Sequence, residues 1–144
     1  MATCHDVAKY FLSRVREDVG DTISNLKLQK LVYYAQGFSL AVLGTPLFEE
    51  SIEAWEHGPV VPELYHEYKG HGSSAIPAVK AGSADDAFST EQLELLEEVY
   101  DVYGQFSAWK LRNMTHAEQP WIDAHPSGTI SHESMGEFFK TLTV

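Results

Sequence analysis

The chain has 144 residues, enough for one domain and short of two, and its 44% hydrophobic and 12% aromatic content excludes a disordered chain. Ten Lys and Arg residues against 21 Asp and Glu residues give a formal net charge of −11. This acidic balance argues against a nucleic-acid binder, because phosphate binding draws its affinity from basic side chains.

The first part of the chain predicts two helices. Thr3 opens a capping-box pattern and apolar residues at helical spacing follow, so a first helix is expected to end before Gly20. A longer second helix has its apolar face between Leu28 and Val42, and the run Gly44-Thr45-Pro46 is expected to stop it. Because apolar residues also spread around this helix, we expect it to be the central and most buried one.

The middle of the chain combines turn-forming residues with a weak strand signal. Polar and apolar residues alternate over residues 51–56, which indicates at most a short extended segment, and His57-Gly58-Pro59 ends it. A helix with Pro62 in its first turn is expected next. The segment 70–88 is rich in Gly, Ser and Asp and predicts a long polar loop, of a kind that is usually mobile or functional.

Three more helices are expected in the last part of the chain. Ser89 and Gln92 form a capping box for the first of them, Ser107 caps a shorter one, and Ser131 opens the last. The prediction is therefore a mainly α fold. It is a single compact helical domain of residues 1–144 around the buried second helix, with at most a minor strand pair near residues 47 to 56 whose partner the sequence does not place.

The familiar motifs of catalysis and metal binding are absent from the sequence. The H-E-x-x-x-H spacing of His66, Glu67 and His71 is one residue too long for one helical face, and a single cysteine excludes Cys-rich zinc sites. Cys4 and His5 are neighbours that point about 100° apart on a helix, which does not suit a Cys-His nucleophile pair. The sequence predicts no catalytic site, no metal and no cofactor.

The cellular compartment follows from three sequence features. Cys4 is the only cysteine, so no internal disulfide is possible. The N-terminus lacks a signal-peptide pattern, and the longest apolar stretch, around Leu31 to Leu43, is too short and too interrupted to span a bilayer. We therefore expect a soluble cytoplasmic protein that engages neither a membrane nor nucleic acid.

A three-part motif occupies residues 26–65. It contains K-L-Q-K-L-V-Y-Y-A-Q-G from Lys27, then P-L-F from Pro46, then E-A-W-E-H-G-P-V-V-P-E-L-Y from Glu53. These parts, in this order and at this spacing, closely resemble the SocA-like or Panacea domain family, which includes phage-associated GepA-type proteins. The resemblance covers nearly the whole chain, and residues 70–88 match least.

The resemblance implies a mostly helical, non-enzymatic antitoxin of a toxin–antitoxin system, which neutralises a cognate protein toxin by direct binding. The resemblance to SocA-type members implies an alternative, a proteolytic adaptor that delivers its toxin to the ClpXP protease. A third alternative is a small enzyme or ligand-binding domain. It would need several of four histidines to converge on one pocket: His57, His66, His71 and His116.

Eight residues of the motif form the predicted partner-binding set: Lys27, Lys30, Tyr34, Trp55, His57, Gly58, Pro59 and Val60. Lys27 and Lys30 lie three residues apart, so they form either a positive anchor on the second helix or a solvated flank of it. Trp55 beside the Gly58-Pro59 turn is either a core residue or an interface anchor. No Lys or Arg occurs between Lys30 and Lys69, and we expect this acidic stretch to face a basic surface of the toxin.

Overall fold

The structure is a computed structural model that describes residues 1–143, so Val144, the last residue of the predicted domain, lies outside the described residues. Within residues 1–143 there are seven α-helices and three short strands. The helices are α1 (Cys4–Ser13), α2 (Asn25–Phe38), α3 (Pro62–Tyr68), α4 (Thr90–Tyr103), α5 (Ala108–His116), α6 (Gln119–Ala124) and α7 (His132–Lys140). The strands are β1 (Ile52–Trp55), β2 (Gly58–Val60) and β3 (Thr129–Ile130). The predicted mainly α fold is confirmed, and none of these helices is long and apolar enough to cross a membrane.

Side-chain caps start the helices where the sequence predicted them. Thr3 Oγ1 accepts a hydrogen bond from the Asp6 backbone N–H at 3.3 Å, and the Asp6 carboxylate accepts one from the Thr3 N–H at 2.9 Å. Ser89 and Gln92 make the same reciprocal pair at the start of α4. These side chains satisfy N–H groups that the first turn of a helix leaves without a partner.

Helix α2 is the centre of the fold. Every residue from Leu28 to Gly37 is buried, and α1, α4, α5 and α7 all pack against this helix. Beyond Phe38 the helix continues as a π-helical turn, Ser39–Leu43, and ends at Gly44 with a φ of 77°. Because a left-handed φ favours glycine, the chain stops the helix at the predicted residue.

The minor β element is an antiparallel sheet with the strand order β2-β1-β3. Strands β1 and β2 form a hairpin in which Trp55 pairs with Gly58, and Ile52 of β1 pairs with Ile130 of β3 on the other edge. The structure therefore supplies the partner that the sequence did not place. Neither partner strand has a visible pattern, because β2 contains Pro59, which an edge strand tolerates, and β3 has only two residues.

The segment 70–88 has little regular structure, but it is attached to the core. Ile76 and Phe88 are buried, and the Ile76 backbone N–H donates to the Ile23 carbonyl oxygen at 2.8 Å. Apolar side chains scattered through a polar segment thus anchor the predicted loop at two points. Its predicted mobility stays a prediction.

Candidate functional site

Two buried polar side chains of α2 fix the path of strand β2. The side-chain carbonyl of Gln29 accepts a hydrogen bond from the Val61 backbone N–H at 2.9 Å, and the Lys30 ammonium donates to the Pro59 carbonyl oxygen at 3.1 Å. The exposed fractions of Gln29 and Lys30 are only 1% and 0%. Because buried backbone groups need partners, these bonds hold the hairpin against α2 in one position.

Lys30 lies in a tight space beneath the hairpin. Burial lowers the pKa of its ammonium to about 7, and the positive charge of Arg112 acts in the same direction. Gly58 closes this space, since a Cβ there would lie 2.6 Å from Lys30 Cε and 2.9 Å from Thr115 Oγ1. Gly58 also has a φ of 113°, so glycine alone suits both the backbone and the space.

A third buried side chain of α2 fixes the segment before the hairpin. The Gln36 amide donates to the Phe48 carbonyl oxygen at 2.8 Å, and its carbonyl oxygen accepts from the Leu47 N–H at 2.8 Å. Gln36 itself is fully buried. The three parts of the sequence motif therefore meet in space, because α2 binds both the P-L-F segment and the hairpin through its own polar side chains.

Two residues from the C-terminal half hold the hairpin turn from the other side. The ring nitrogens of His116 lie 2.6 Å from the Glu56 carbonyl oxygen and 2.7 Å from the Arg112 carbonyl oxygen. The Trp121 indole N–H donates to the Trp55 carbonyl oxygen at 2.8 Å. These contacts connect the turn to α5 and α6, so its exposed side chains stand on a backbone that is fixed from both sides.

Five side chains at this turn form what we call the hairpin patch: Trp55, His57, Tyr65, Trp109 and Arg112. The Trp109 side chain is 57% exposed, and the Arg112 guanidinium carbon lies 4.4 Å from its ring centroid. Arg112 Nε donates to His57 Nδ1 at 3.2 Å, and Trp55 packs edge-on against Tyr65 with ring centroids 5.0 Å apart. Trp, Tyr and Arg side chains at a surface are the residue types that dominate protein-binding energy.

The structure separates the eight predicted partner-binding residues into two groups. His57 is exposed, and Trp55 and Lys27 are half-buried. The other five are buried: Lys30, Tyr34, Gly58, Pro59 and Val60. Lys30, Gly58 and Pro59 come together beneath the hairpin, where they position it.

Lys27 and Tyr34 lie apart from that group. The Lys27 ammonium donates to the Gly104 carbonyl oxygen at 2.7 Å and so fixes the connection between α4 and α5. The sequence reasoning missed two residues of the patch, the exposed Trp109 and the half-buried Arg112. A signal existed, because a Trp and an Arg three residues apart share one face of a predicted helix.

A buried carboxylate bonded to α2 was also missed. Glu118 accepts hydrogen bonds from the hydroxyls of Tyr33 at 3.1 Å and Tyr34 at 2.7 Å. Burial raises the pKa of Glu118 to about 7, although the two hydroxyls act to lower it. Tyr103 stacks on Tyr34 with ring centroids 4.0 Å apart. The carboxylate thus lies within an aromatic cluster.

The histidines do not converge as the enzyme alternative requires. In the described part of the chain, one group of three or more metal-ligating side chains occurs, and none of His57, His66, His71 and His116 belongs to it. Instead, His116 contacts Trp121 and His71 contacts Tyr68. The Cys4 thiol is buried, and burial together with nearby Glu carboxylates raises its pKa, which does not suit a nucleophile.

Comparisons with known proteins agree with the motif. The family model described as "Antitoxin SocA-like, Panacea domain" matches residues 28–122, which include the whole hairpin patch. Antitoxin SocA of Caulobacter vibrioides (strain NA1000 / CB15N) is 34% identical over 120 residues, covering 74% of this chain and 63% of the relative. The chain therefore spans less than two thirds of that relative's length. No solved structure matches the chain.

Proposed function

The chain belongs to the Antitoxin SocA-like, Panacea domain family, and on that premise we propose that it is a cytoplasmic antitoxin that neutralises a cognate protein toxin by binding it directly. We assign the contact to the hairpin patch. The role is binding without catalysis, and the partner is a protein.

The observation that carries this proposal is the exposure of Trp109 beside Arg112. Both residues lie on α5, next to a hairpin whose backbone is held by hydrogen bonds to buried side chains. A rigid aromatic anchor loses little conformational entropy on binding, so more of its burial appears as affinity. Exposed aromatic side chains next to Arg are typical centres of interfaces. Because Lys30, Gly58 and Pro59 fix the hairpin, they would act on binding through the position of the patch.

Charge around the patch favours a basic partner. Glu56 in the hairpin turn and Glu63 at the start of α3 are exposed, and the whole chain carries −11. Such a field increases the rate of encounter with a basic protein surface and does so less at high salt. The anchor residues would thus supply binding affinity, and the acidic surroundings would increase the rate of encounter with the partner.

The test is co-expression with the product of the adjacent open reading frame. If that product arrests growth, the wild-type chain is expected to restore growth and to co-purify with it. Trp109→Ala and Arg112→Ala should abolish rescue, and Trp109→Ala should weaken binding roughly thirty-fold, which corresponds to about 2 kcal/mol. Leu142→Ala, which truncates a side chain 45% exposed outside the patch, is the matched control and should behave as wild type.

Three results would contradict parts of the proposal. Rescue without a complex would exclude direct binding, and full rescue by both patch variants would exclude the patch. Rescue that disappears in a strain lacking ClpXP, while the complex still forms, would assign the chain to toxin delivery instead of inhibition.

A further inference from the structure

Four potential metal ligands from three separate segments meet near the start of α1. The Cys4 thiol and the His5 imidazole come from the first turn of α1, Glu50 from the segment before β1, and Glu63 from the first turn of α3. One ligand atom from each lies within 4.8 Å of the others. We propose that this cluster, which we call the N-terminal ligand cluster, binds a divalent transition-metal ion, with Zn²⁺ the best match.

The donor set favours zinc over magnesium or calcium. Thiolate, imidazole and carboxylate together are the ligands that Zn²⁺ uses in proteins, in sites with four ligands. Magnesium and calcium take oxygen ligands, and a thiol with an imidazole offers them none. The cluster supplies one sulfur, one nitrogen and two carboxylates, which is the number a closed zinc site needs.

The imidazole of His5 lies between the carboxylates of Glu63 and Glu67. Its Nδ1 atom is buried and makes no hydrogen bond, although Glu67 Oε1 lies 3.0 Å away. Its Nε2 atom lies 3.8 Å from Glu63 Oε2, too far for a hydrogen bond. A carboxylate beside an imidazole nitrogen, as Glu67 lies beside Nδ1, is how metal-ligating rings are commonly oriented.

The negative charge of the carboxylates at the cluster also favours a bound cation. Three carboxylates, Glu50, Glu63 and Glu67, surround Cys4, and among residues 1–143 none of the three forms an ion pair with a Lys or Arg. Glu50 also accepts a hydrogen bond from the Cys4 backbone N–H at 3.1 Å, which places its carboxylate beside the thiol.

The position of the cluster determines how an ion would reach it and which segments a bound ion would connect. Cys4 is fully buried, His5 and Glu50 are half-buried, and Glu63 is exposed, so an ion can enter from solvent and reach the thiol last. A metal there would connect α1 to α3 and to the segment before β1. Its expected role is structural, since it would fasten the N-terminal helix to the part of the chain that carries the hairpin, and it is independent of toxin binding.

The test uses the full chain with its native N-terminus and no polyhistidine tag, because extra histidines bind the same ions. The protein is titrated with Co²⁺, a spectroscopic substitute for zinc, and then with Zn²⁺ in competition. We expect a single equivalent to bind, with a thiolate-to-cobalt charge-transfer band that Zn²⁺ displaces, and a higher unfolding temperature with metal present.

Variants distinguish this site from adventitious binding. Glu63→Gln changes an exposed ligand and should leave the fold intact while weakening metal binding roughly ten-fold or more, because even the loss of groups that orient ligands costs 10–100-fold. Cys4→Ser should remove the charge-transfer band. His66→Gln, on α3 but outside the cluster, is the control and should bind metal as wild type does. Absence of the band, or metal binding that Glu63→Gln leaves unchanged, would overturn the proposal.

Discussion

Helix α2 carries two sets of buried side chains that contribute in different ways. The polar set, Gln29, Lys30 and Gln36, bonds to backbone groups of the hairpin and of the segment before it. The aromatic set, which includes Tyr34 and Phe38, packs against rings of α4 and α7. A hydrogen bond contributes only about 1 kcal/mol net, because the unfolded chain bonds to water instead. The aromatic set therefore supplies stability, and the polar set determines where the hairpin patch lies.

Among the substitutions that compare the two sets, Phe139→Ala is expected to lower the free energy of unfolding most. Phe139 is fully buried, and its ring centroid lies 4.8 Å from that of Phe38, 5.4 Å from that of Tyr33 and 5.8 Å from that of Tyr34. Removing this ring should lower the free energy of unfolding by about 3 to 5 kcal/mol, measured by urea titration with circular dichroism.

The exposed Leu142 just beyond α7 provides the control for that measurement. Leu142→Ala should change the free energy of unfolding by less than about 1 kcal/mol. A loss of under about 2 kcal/mol for Phe139→Ala would mean that the aromatic set does not dominate stability, since a large buried ring rarely costs so little to remove.

The next largest change in the free energy of unfolding is expected from filling the space beneath the hairpin. Gly58 and Gly44 both have positive φ values, 113° and 77°, but a Cβ at Gly44 would have no atom within 4 Å. Gly44→Ala should therefore cost only backbone strain, about 1 to 2 kcal/mol. Gly58→Ala adds the collision with Lys30 and should cost about 2 to 4 kcal/mol.

The two glycine variants should also differ in partner binding. Gly58→Ala moves Lys30 or the strand, so it should reduce toxin rescue even where the protein remains folded, whereas Gly44→Ala should not. Equal losses of stability in the two variants would show that the flexible end of Lys30 moves aside without cost, and that the polar set does not hold the hairpin tightly.

Much of the helical fold was predictable because its signals are local. Thr3, Ser89, Ser107 and Ser131 are caps that act within one turn, and Gly44 stops α2 for a reason contained in its own backbone. The partner strands were not predictable in this way. Strand β3 pairs with β1 across more than 70 residues of sequence and has only two residues of its own, so no local pattern marks it.

The contacts of the predicted site residues do not follow from sequence spacing, for a related reason. Spacing along α2 suggested that Lys27 and Lys30 act together, but burial of the helix sends one ammonium to Gly104 and the other to Pro59. Likewise, the argument from neighbouring positions on a helix concerned only a Cys4-His5 nucleophile pair. It does not address a site to which other segments contribute, and the proposed metal ligands Glu50 and Glu63 come from two of them.

A smaller effect compares the pH dependence due to Lys30, in the polar set, with that due to Glu118, the carboxylate bonded to the aromatic set. Lys30 has a folded pKa of about 7 against an ordinary 10.5, so above pH 7 the unfolded chain holds the extra proton and stability rises with pH. Glu118, bonded to Tyr33 and Tyr34, has a folded pKa of about 7 against an ordinary 4.5. Between those values the folded chain holds the extra proton, so stability falls as pH rises.

A variant that removes one of these two ionisable groups should remove the slope of unfolding free energy against pH that the group causes. Urea unfolding is measured across the two windows, with the alkaline one ending near pH 8, before the Cys4 thiol of the unfolded chain, with an ordinary pKa of 9.0, loses its proton. Relative to wild type, the free energy of unfolding of Lys30→Met should lack the rise with pH above pH 7. That of Glu118→Gln should lack the fall with pH below pH 7. Each slope is at most about 1.4 kcal/mol per pH unit. Parallel curves for wild type and Lys30→Met would mean that Lys30 stays charged in the folded protein.

The smallest expected effect on stability is that of Trp109→Ala. The side chain is 57% exposed, and its main recorded contact is with Arg112, so the free energy of unfolding should change by about 0.5 to 1 kcal/mol. Trp121→Ala is the counterpart, because Trp121 packs between His116 and His125 and donates to the Trp55 carbonyl oxygen.

We expect Trp121→Ala to cost about 2 to 3 kcal/mol, since it removes packing and leaves a backbone oxygen without its partner. The pair distinguishes Trp121, which holds the hairpin, from Trp109, which is exposed on α5 beside it. If Trp109→Ala were as destabilising as Trp121→Ala, lost rescue in the co-expression assay would reflect misfolding. If it stays near wild type in urea and still fails to rescue, the loss belongs to the binding surface.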